Sequence, residues 1–302
     1  MAKVSIIIAT HSRPNLLPRA VASAFAAGSE VEVVVVDDAS TDATAEVCKT
    51  LDGIKYIRAE RNQGTAGARN LGILASTSQY IGFLDDDDWR LPGSLDKQVA
   101  ILDENPECGL VYGQYLQADH AGEITNDPPE PDLCEQGDLF WKLLESNRFG
   151  CLTVVFRKDC VHKVGMLDPN YSGADDWDLW VRIGEQYPIT AICEPVAVWR
   201  TAVLGSDQGS VNESKLLMIG ARAYREKWLD LLRAKEELGD RLESKRRSLL
   251  NGVSERILFD MAHRTKGRRQ KIKKMIAAIQ CNPAKIYSMS FYKTAAKNLM
   301  FP

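Results

Sequence analysis

Four consecutive aspartates, Asp85, Asp86, Asp87 and Asp88, follow directly on the apolar run Tyr80-Ile81-Gly82-Phe83-Leu84. A buried strand that ends in clustered carboxylates delivers them to the carboxyl edge of a sheet, where open α/β sheets bind ligands. Adjacent carboxylates repel one another, so an isolated turn gains nothing from the cluster. A bound cation relieves the repulsion, and oxygen ligands of this kind suit Mg2+ or Mn2+. A solvated acidic turn is the competing reading, because a charge run alone proves little.

Two other apolar runs end in polar clusters. Residues 4–9 lead into Thr10-His11-Ser12-Arg13, and residues 31–36 lead into Asp37-Asp38. In a parallel sheet these ends face the same side, so distant parts of the sequence converge on one crevice. The segment from Asn62 through Gly64, Gly67 and Arg69 to Asn70 is rich in small residues and enters a helix. Small residues permit close backbone approach, a helix N-terminus favours phosphate, and Arg69 would add charge-assisted bonds to a diphosphate. Helix–sheet packing explains the glycines equally well. The segment is neither GxGxxG nor a Walker loop, which argues against dinucleotide binding and ATP hydrolysis. Farther on, Asp175, Asp176 and Asp178 open a helical stretch, where acidic residues also serve as caps or complement the helix dipole.

The elements that must hold these groups alternate. Strands are expected over 4–9, 31–36, 54–58, 80–84 and 109–117, with helices over 14–27, 43–51, 64–76 and 92–105. This spacing predicts an α/β fold with a mostly parallel, right-handed βαβ sheet. The middle is less regular. It holds an acidic Pro-rich loop over 126–131, a helix over 140–145, a strand over 153–156, a helix over 175–185, and short strands over 189–192 and 196–200. From 212 onward the pattern is helical.

The 302 residues suffice for one large α/β domain plus an appendage. The net charge of −3 conceals a split: residues 1–213 carry 17 Lys/Arg against 33 Asp/Glu, and residues 214–302 carry 21 against 8. Such asymmetry points to a basic tail with an anionic partner. The seven cysteines are scattered and lack a CxxC spacing, as expected of reduced thiols in a cytoplasmic protein. The apolar start is too short for a signal peptide, and no run approaches the ~18 apolar residues of a spanning helix.

Residues 4–10, 33–44, 62–72 and 83–95 together resemble the family 2 glycosyltransferases with a GT-A fold, and residues 173–182 resemble that family's "ED" motif. The resemblance spans roughly residues 3–205, with the segments in the right order. It implies inverting transfer of a sugar from a nucleotide-diphosphate donor, UDP by default, usually with Mn2+ or Mg2+. Carried onto this chain, it implies that Asp38 binds the nucleobase, Thr10 and Arg13 line the nucleotide pocket, and Asn62, Gly64 and Arg69 approach the donor phosphates. Asp85, Asp86 and Asp87 would form the DxD motif, with Asp87 the main metal ligand and Asp85 nearer the ribose or sugar. Asp176 would be the base, with Asp175 and Asp178 as near alternatives. Asp175 and Trp177 would lie on the acceptor side.

Two departures stand out. Many relatives have Tyr-Asn where this chain has His11-Ser12, and many place a metal-binding His shortly after the strand that here ends in Trp199-Arg200. The expected organisation is a catalytic domain over 1–211, with a nucleotide-sugar half to about 105 and an acceptor half after it, and a helical basic region over 212–302. Residues 261–302 hold ten Lys/Arg and no Asp or Glu. The stretch 271–279 suits an anionic membrane surface, so peripheral attachment at the inner face is expected. A solvated helical face, or docking onto the acidic front half, is the competing reading. A glycan or lipid-linked acceptor fits the family, nucleic acid does not fit any visible recognition fold, and the helical tail could support a homodimer. The rival functions are a non-catalytic sugar-binding scaffold and a nucleotidyltransferase. The latter would usually need a basic Gly-rich loop after the first strand, and residues 10–15 are not one.

Overall fold

A computed structural model describes residues 2–125, 134–201, 213–263, 265 and 267–283, with backbone alone for 213–216. The loop expected over 126–131, residues 202–204 after the last strand, and the basic tail from 284 onward lie outside the described residues. The chain divides into two compact units, Met1–Ser206 and Asp207–Pro302.

The first unit is built on an eight-stranded sheet. β1 (Val4–Thr10), β2 (Val31–Asp37), β3 (Lys55–Arg58) and β4 (Tyr80–Asp85) form its parallel half in the order β3-β2-β1-β4. Their apolar runs are continuous because both faces are covered; Ile6, Ile7, Ile8 and Val33 to Val36 are fully buried. α1 (Leu17–Ala26), α2 (Thr44–Thr50) and α3 (Gly64–Ala75) make the crossovers. α1 starts three residues later than Pro14 suggests, because Leu16 and Leu17 first turn back onto the Arg13 carbonyl. Gly72 lets α3 lie against β1: a Cβ there would stand 2.3 Å from Ile7 Cγ2.

The other half is mixed rather than parallel. β7 (Val155–Arg157) runs antiparallel to both β4 and β6 (Leu110–Ala118), β6 is parallel to β8 (Ile189–Arg200), and β5 (Trp89–Arg90) is antiparallel to β8. The two short strands expected over 189–200 are one strand, whose register against β6 shifts around Gln114 opposite Pro195. A bulge carries the chain past the proline, which has no N–H to give the ladder. Thr153 falls in a 3-10 turn, Cys151–Thr153, instead of a strand. α4 (Ser94–Glu104), α5 (Phe140–Glu145), α6 (Lys158–Val164) and α7 (Asp175–Gln186) complete the unit.

The second unit is helical: α8 (Glu213–Glu226), α9 (Leu232–Leu238), α10 (Leu242–His263) and α11 (Arg268–Cys281). α8, α10 and α11 pack together, with Ser254 Oγ donating to the Ala278 carbonyl at 2.9 Å and Asp260 pairing with Lys274. Arg268, Arg269, Lys273 and Ile276 are exposed on α11, and Phe259 is exposed on α10. No helix among the described residues is long and apolar enough to cross a membrane.

Candidate active site

The carboxyl ends of β1, β2 and β4 and the first turn of α7 supply the chemistry. At the ends of β1 and β2 the backbone passes through positive φ at non-glycine residues, Ser12 (55°) and Ala39 (59°). Such conformations cost free energy and persist where the surroundings enforce them. Here the Ser12 N–H donates to Ser40 Oγ at 2.9 Å, and the Ser40 N–H donates to the buried Asp37 carboxylate at 2.8 Å.

The four aspartates after β4 have four different surroundings. Asp85 accepts from Arg69 Nη2 at 2.7 Å. Asp86 is buried and accepts from Thr10 Oγ1 at 2.7 Å and Arg13 Nη1 at 3.0 Å. Asp87 accepts from the same Arg13 nitrogen at 3.2 Å. Asp88 accepts from the Arg200 backbone N–H at 2.8 Å, which ties the loop to the end of β8. One carboxylate oxygen each from Asp85, Asp87 and Asp88 lie within 4.8 Å of one another. Burial, reinforced by Asp85 and Asp86, pushes the Asp87 carboxyl up to about 6. Burial with Asp85 and Asp87 pushes Asp88 up as well. An all-oxygen donor set under mutual repulsion fits a hard divalent cation. Asp86, expected within the same motif, instead turns inward onto Thr10 and Arg13.

Asp38 is buried and accepts from the Gln63 N–H at 2.7 Å. Its carbonyl lies 2.8 Å from His11 Nδ1, and Asn62 Nδ2 lies 3.3 Å from the same ring nitrogen. Asn62 Oδ1 accepts from the Gly64 N–H at 3.1 Å, and Gly64 (φ 71°) starts α3. These contacts bring Thr10, His11, Asp38, Asn62 and Gly64 to one edge of the sheet.

Arg69 is placed differently from a simple phosphate ligand. The residue is 5 % exposed, and its guanidinium carries Asp85 on one side and Asp175 Oδ2, at 3.1 Å, on the other. Asp175 also accepts from the Gly173 N–H at 3.1 Å. Asp178 is buried against Arg182, whose guanidinium donates onward to the carbonyls of Val164, Gly165 and Met166. Of the three acidic residues on this turn, Asp176 alone stays partly exposed. Burial and then Asp175 push its carboxyl up to about 6, against the opposing charge of Arg69. Trp177 packs inward, 6 % exposed, with its indole N–H on the Leu143 carbonyl at 2.7 Å. Buried in this way, it offers no open face for stacking on a sugar.

Cys151 belongs to this site and carries no sequence signal. Burial pushes its thiol well above the usual range, and the charges of Arg69, Asp176, Asp85 and Asp175 all act on it. The turn that bears it is held from beneath by Arg90, which donates to the Leu152 carbonyl and to Gln98, while Gln98 Nε2 donates to the Thr153 carbonyl at 2.8 Å. Arg90 is 1 % exposed, and burial lowers its guanidinium to about 9.

The model of "Glycosyl transferase family 2" matches residues 5–162. The succinoglycan biosynthesis protein ExoU of Rhizobium meliloti (strain 1021) is 29% identical over 265 residues, covering 80% of this chain and 76% of that protein. The Escherichia coli UDP-Glc:alpha-D-GlcNAc-diphosphoundecaprenol beta-1,3-glucosyltransferase WfaP is 26% identical over 187 residues, covering 61% of this chain and 70% of that one. Among solved structures, S. aureus TarS 1-349 in complex with UDP-GlcNAc superposes with a TM-score of 0.66 at 17% identity, over 99% of this chain and 88% of TarS 1-349. With the family model spanning more than half of the sequence, and the acidic loop and small-residue helix set at one sheet edge, the chain belongs to glycosyl transferase family 2 and is a glycosyltransferase of the GT-A fold.

Proposed function

We propose that the chain transfers a sugar, with inversion, from a UDP-sugar to a hydroxyl of a glycan or lipid-linked acceptor. One observation carries the reading: Arg69 joins the acidic loop and the Asp176 turn into a single site. Asp38 reads the nucleobase, while Thr10 and Arg13 shape the nucleotide pocket and hold Asp86. Asn62 and Gly64 bring the start of α3 toward the phosphates. Asp85 and Asp87 would hold Mn2+ or Mg2+, with Asp88 beside them. Bound there, the ion would supply Lewis-acid charge for the departing diphosphate. Asp176 takes the proton of the acceptor hydroxyl as its oxygen attacks the anomeric carbon from the face opposite the diphosphate. A base must be ionised yet basic, and a carboxyl near 6 meets both needs at neutral pH. Asp175, fixed by Arg69 and the Gly173 N–H, sets the position of that turn.

The UDP donor is supported by the UDP-GlcNAc complex of the superposing TarS fold. The acceptor class is supported by the relatives' succinoglycan and diphosphoundecaprenol chemistry. Hydrolysis and transfer assays on UDP-sugars test the reading with Asp87→Asn and Asp176→Asn. Both variants are expected to lose activity; full activity in both would reject the site. The exposed Arg268, Arg269, Lys273 and Ile276 of α11 support peripheral attachment to an anionic leaflet. Co-flotation with phosphatidylglycerol vesicles, but not with phosphatidylcholine vesicles, is the expected result.

A further inference from the structure

Two arginines meet at one turn beside the acidic loop. Arg19 stands in the first turn of α1, the helix that follows the carboxyl end of β1. Arg200 closes β8, whose carboxyl end lies at the same edge of the sheet as those of β1, β4 and β6. The turn after β6 receives both side chains. Arg200 Nη1 donates to the His120 carbonyl at 2.9 Å. The Arg19 guanidinium lies against Gly122, where an added Cβ would stand 2.5 Å from Arg19 Nη1. Arg19 Cζ also stands 3.1 Å from the centroid of the Trp89 ring, and Trp89 directly follows Asp88. The Arg200 N–H is fixed to that same Asp88 at 2.8 Å. Nearby Arg13 is met by Asp86 and Asp87, but among the described residues no carboxylate forms an ion pair with Arg19 or Arg200. Asp119, in the turn itself, spends its carboxylate on the N–H groups of Ala121, Gly122 and Glu123. Arg200 Nε is buried and finds no acceptor among the described residues. Burial and then the Arg200 charge push the Arg19 guanidinium down, with Asp88 opposing. Two guanidiniums held at one turn, with donors to spare, suit the forked recognition of a phosphate.

We infer that Arg19 and Arg200 form an anion subsite for the acceptor, taking a phosphate carried beside its reacting sugar, as in a lipid diphosphate. The inference rests on the transferase reading above. In strand order the nucleobase residue Asp38 follows β2 and the acidic loop follows β4, whereas Arg200 ends β8, beyond β7 and β6. The donor's diphosphate has the acidic loop's ion and the start of α3 to meet it, which leaves the arginine pair for a second phosphate. A divalent ion in the loop would also offset the charge that Asp88 sets against such an anion.

The test titrates dimethylallyl diphosphate, a soluble lipid diphosphate, into the full chain saturated with UDP and Mg2+. Dimethylallyl alcohol is the uncharged control, and inorganic phosphate the free anion. Calorimetry is expected to show binding of the diphosphate, weaker binding of phosphate, and none of the alcohol. Arg19→Gln and Arg200→Gln are each expected to weaken the diphosphate by about tenfold or more while binding UDP as the wild type does. Arg19→Lys keeps the charge but loses the fork, and is expected to fall between. Arg200→Gln keeps both the Arg19 stack on Trp89 and the backbone N–H on Asp88, so it decides the matter should Arg19→Gln fail to fold. Equal diphosphate affinity in wild type and Arg200→Gln, or displacement of UDP by the titrant, would overturn the inference. So would phosphate binding as tightly as the diphosphate, which would make the pair a free-phosphate site. A wild type that binds no UDP would instead reject the donor reading, and the same titration without UDP then reads the arginine pair alone, with the same loss expected in Arg200→Gln.

Discussion

Arg69 Nη1 lies 3.1 Å from Asp175 Oδ2, across 106 positions of sequence, in a setting where the arginine is 5 % exposed. The contact joins the helix after β3 to the helix that carries Asp176. Removing one partner of a buried ion pair leaves the other charge uncompensated and costs on the order of 3–5 kcal/mol. Arg69→Met is therefore expected to lower Tm and to reduce kcat by roughly 100-fold or more, because Asp85 and Asp175 both lose their cation. Arg69→Lys keeps the charge but cannot span both carboxylates, and is expected to recover stability better than kcat. Thermal melts and steady-state rates on the same preparations check this. A full rate with a lowered Tm would reduce Arg69 to a packing role.

The proposed base has a pH signature. Asp176 stands at about 6 in the folded chain, above the ordinary 3.8. Activity is expected to fall as pH drops through about 6, as the carboxylate takes up a proton. For stability the sign is opposite. Between the two values the folded state holds a proton that the unfolded state has released. The resulting stability is fully present below 3.8 and is lost as pH rises through about 6. Asp176→Asn is thus expected to raise neutral-pH stability by about 1 kcal/mol, after screening at this partly exposed position, and to give no gain at pH 4. Melts at the two pH values, set beside the kcat profile, measure both effects. A lower neutral-pH Tm would contradict the electrostatic account.

The α3–β1 approach makes a prediction independent of chemistry. A methyl at Gly72 would stand 2.3 Å from Ile7 Cγ2 and 3.1 Å from Ile7 Cγ1. Since Ile7 is fully buried, it has no room to yield. Gly72→Ala is expected to destabilise by about 1–3 kcal/mol as an overpacked contact. Urea unfolding reads this directly; an unchanged midpoint would show that α3 can withdraw freely.

The parallel half of the fold was legible because its strands are buried on both faces and read as unbroken apolar runs, as in Ile6-Ile7-Ile8 and Val33 to Val36. In the mixed half β6, β7, α5 and α7 were legible too, but β5 and the continuity of β8 were not. β5 is two residues long, too short for any periodicity, and Glu194-Pro195 splits the pattern of β8 although the strand continues. Within the site, strand-end clusters pointed to Asp38 and to residues 85–88, but not to the division of labour among the four aspartates. That division depends on Thr10, Arg13, Arg69 and the Arg200 N–H, which meet them only after folding. Cys151 and the Arg90–Gln98 support beneath it had no motif, since their roles come from long-range contacts. Trp177 illustrates the reverse: its place in the motif suggested a sugar contact, and its hydrogen bond to Leu143 assigns it to the core.

The most direct test of the central claim is calorimetric titration of UDP into the full chain with and without Mn2+, repeated on Asp87→Asn and Asp176→Asn. Tight binding is expected that requires Mn2+, weakens at least tenfold in Asp87→Asn, and persists in Asp176→Asn, which fails only in transfer. Equal UDP affinity with and without the metal, or in wild type and Asp87→Asn, would contradict the assignment of the acidic loop as the donor's metal site.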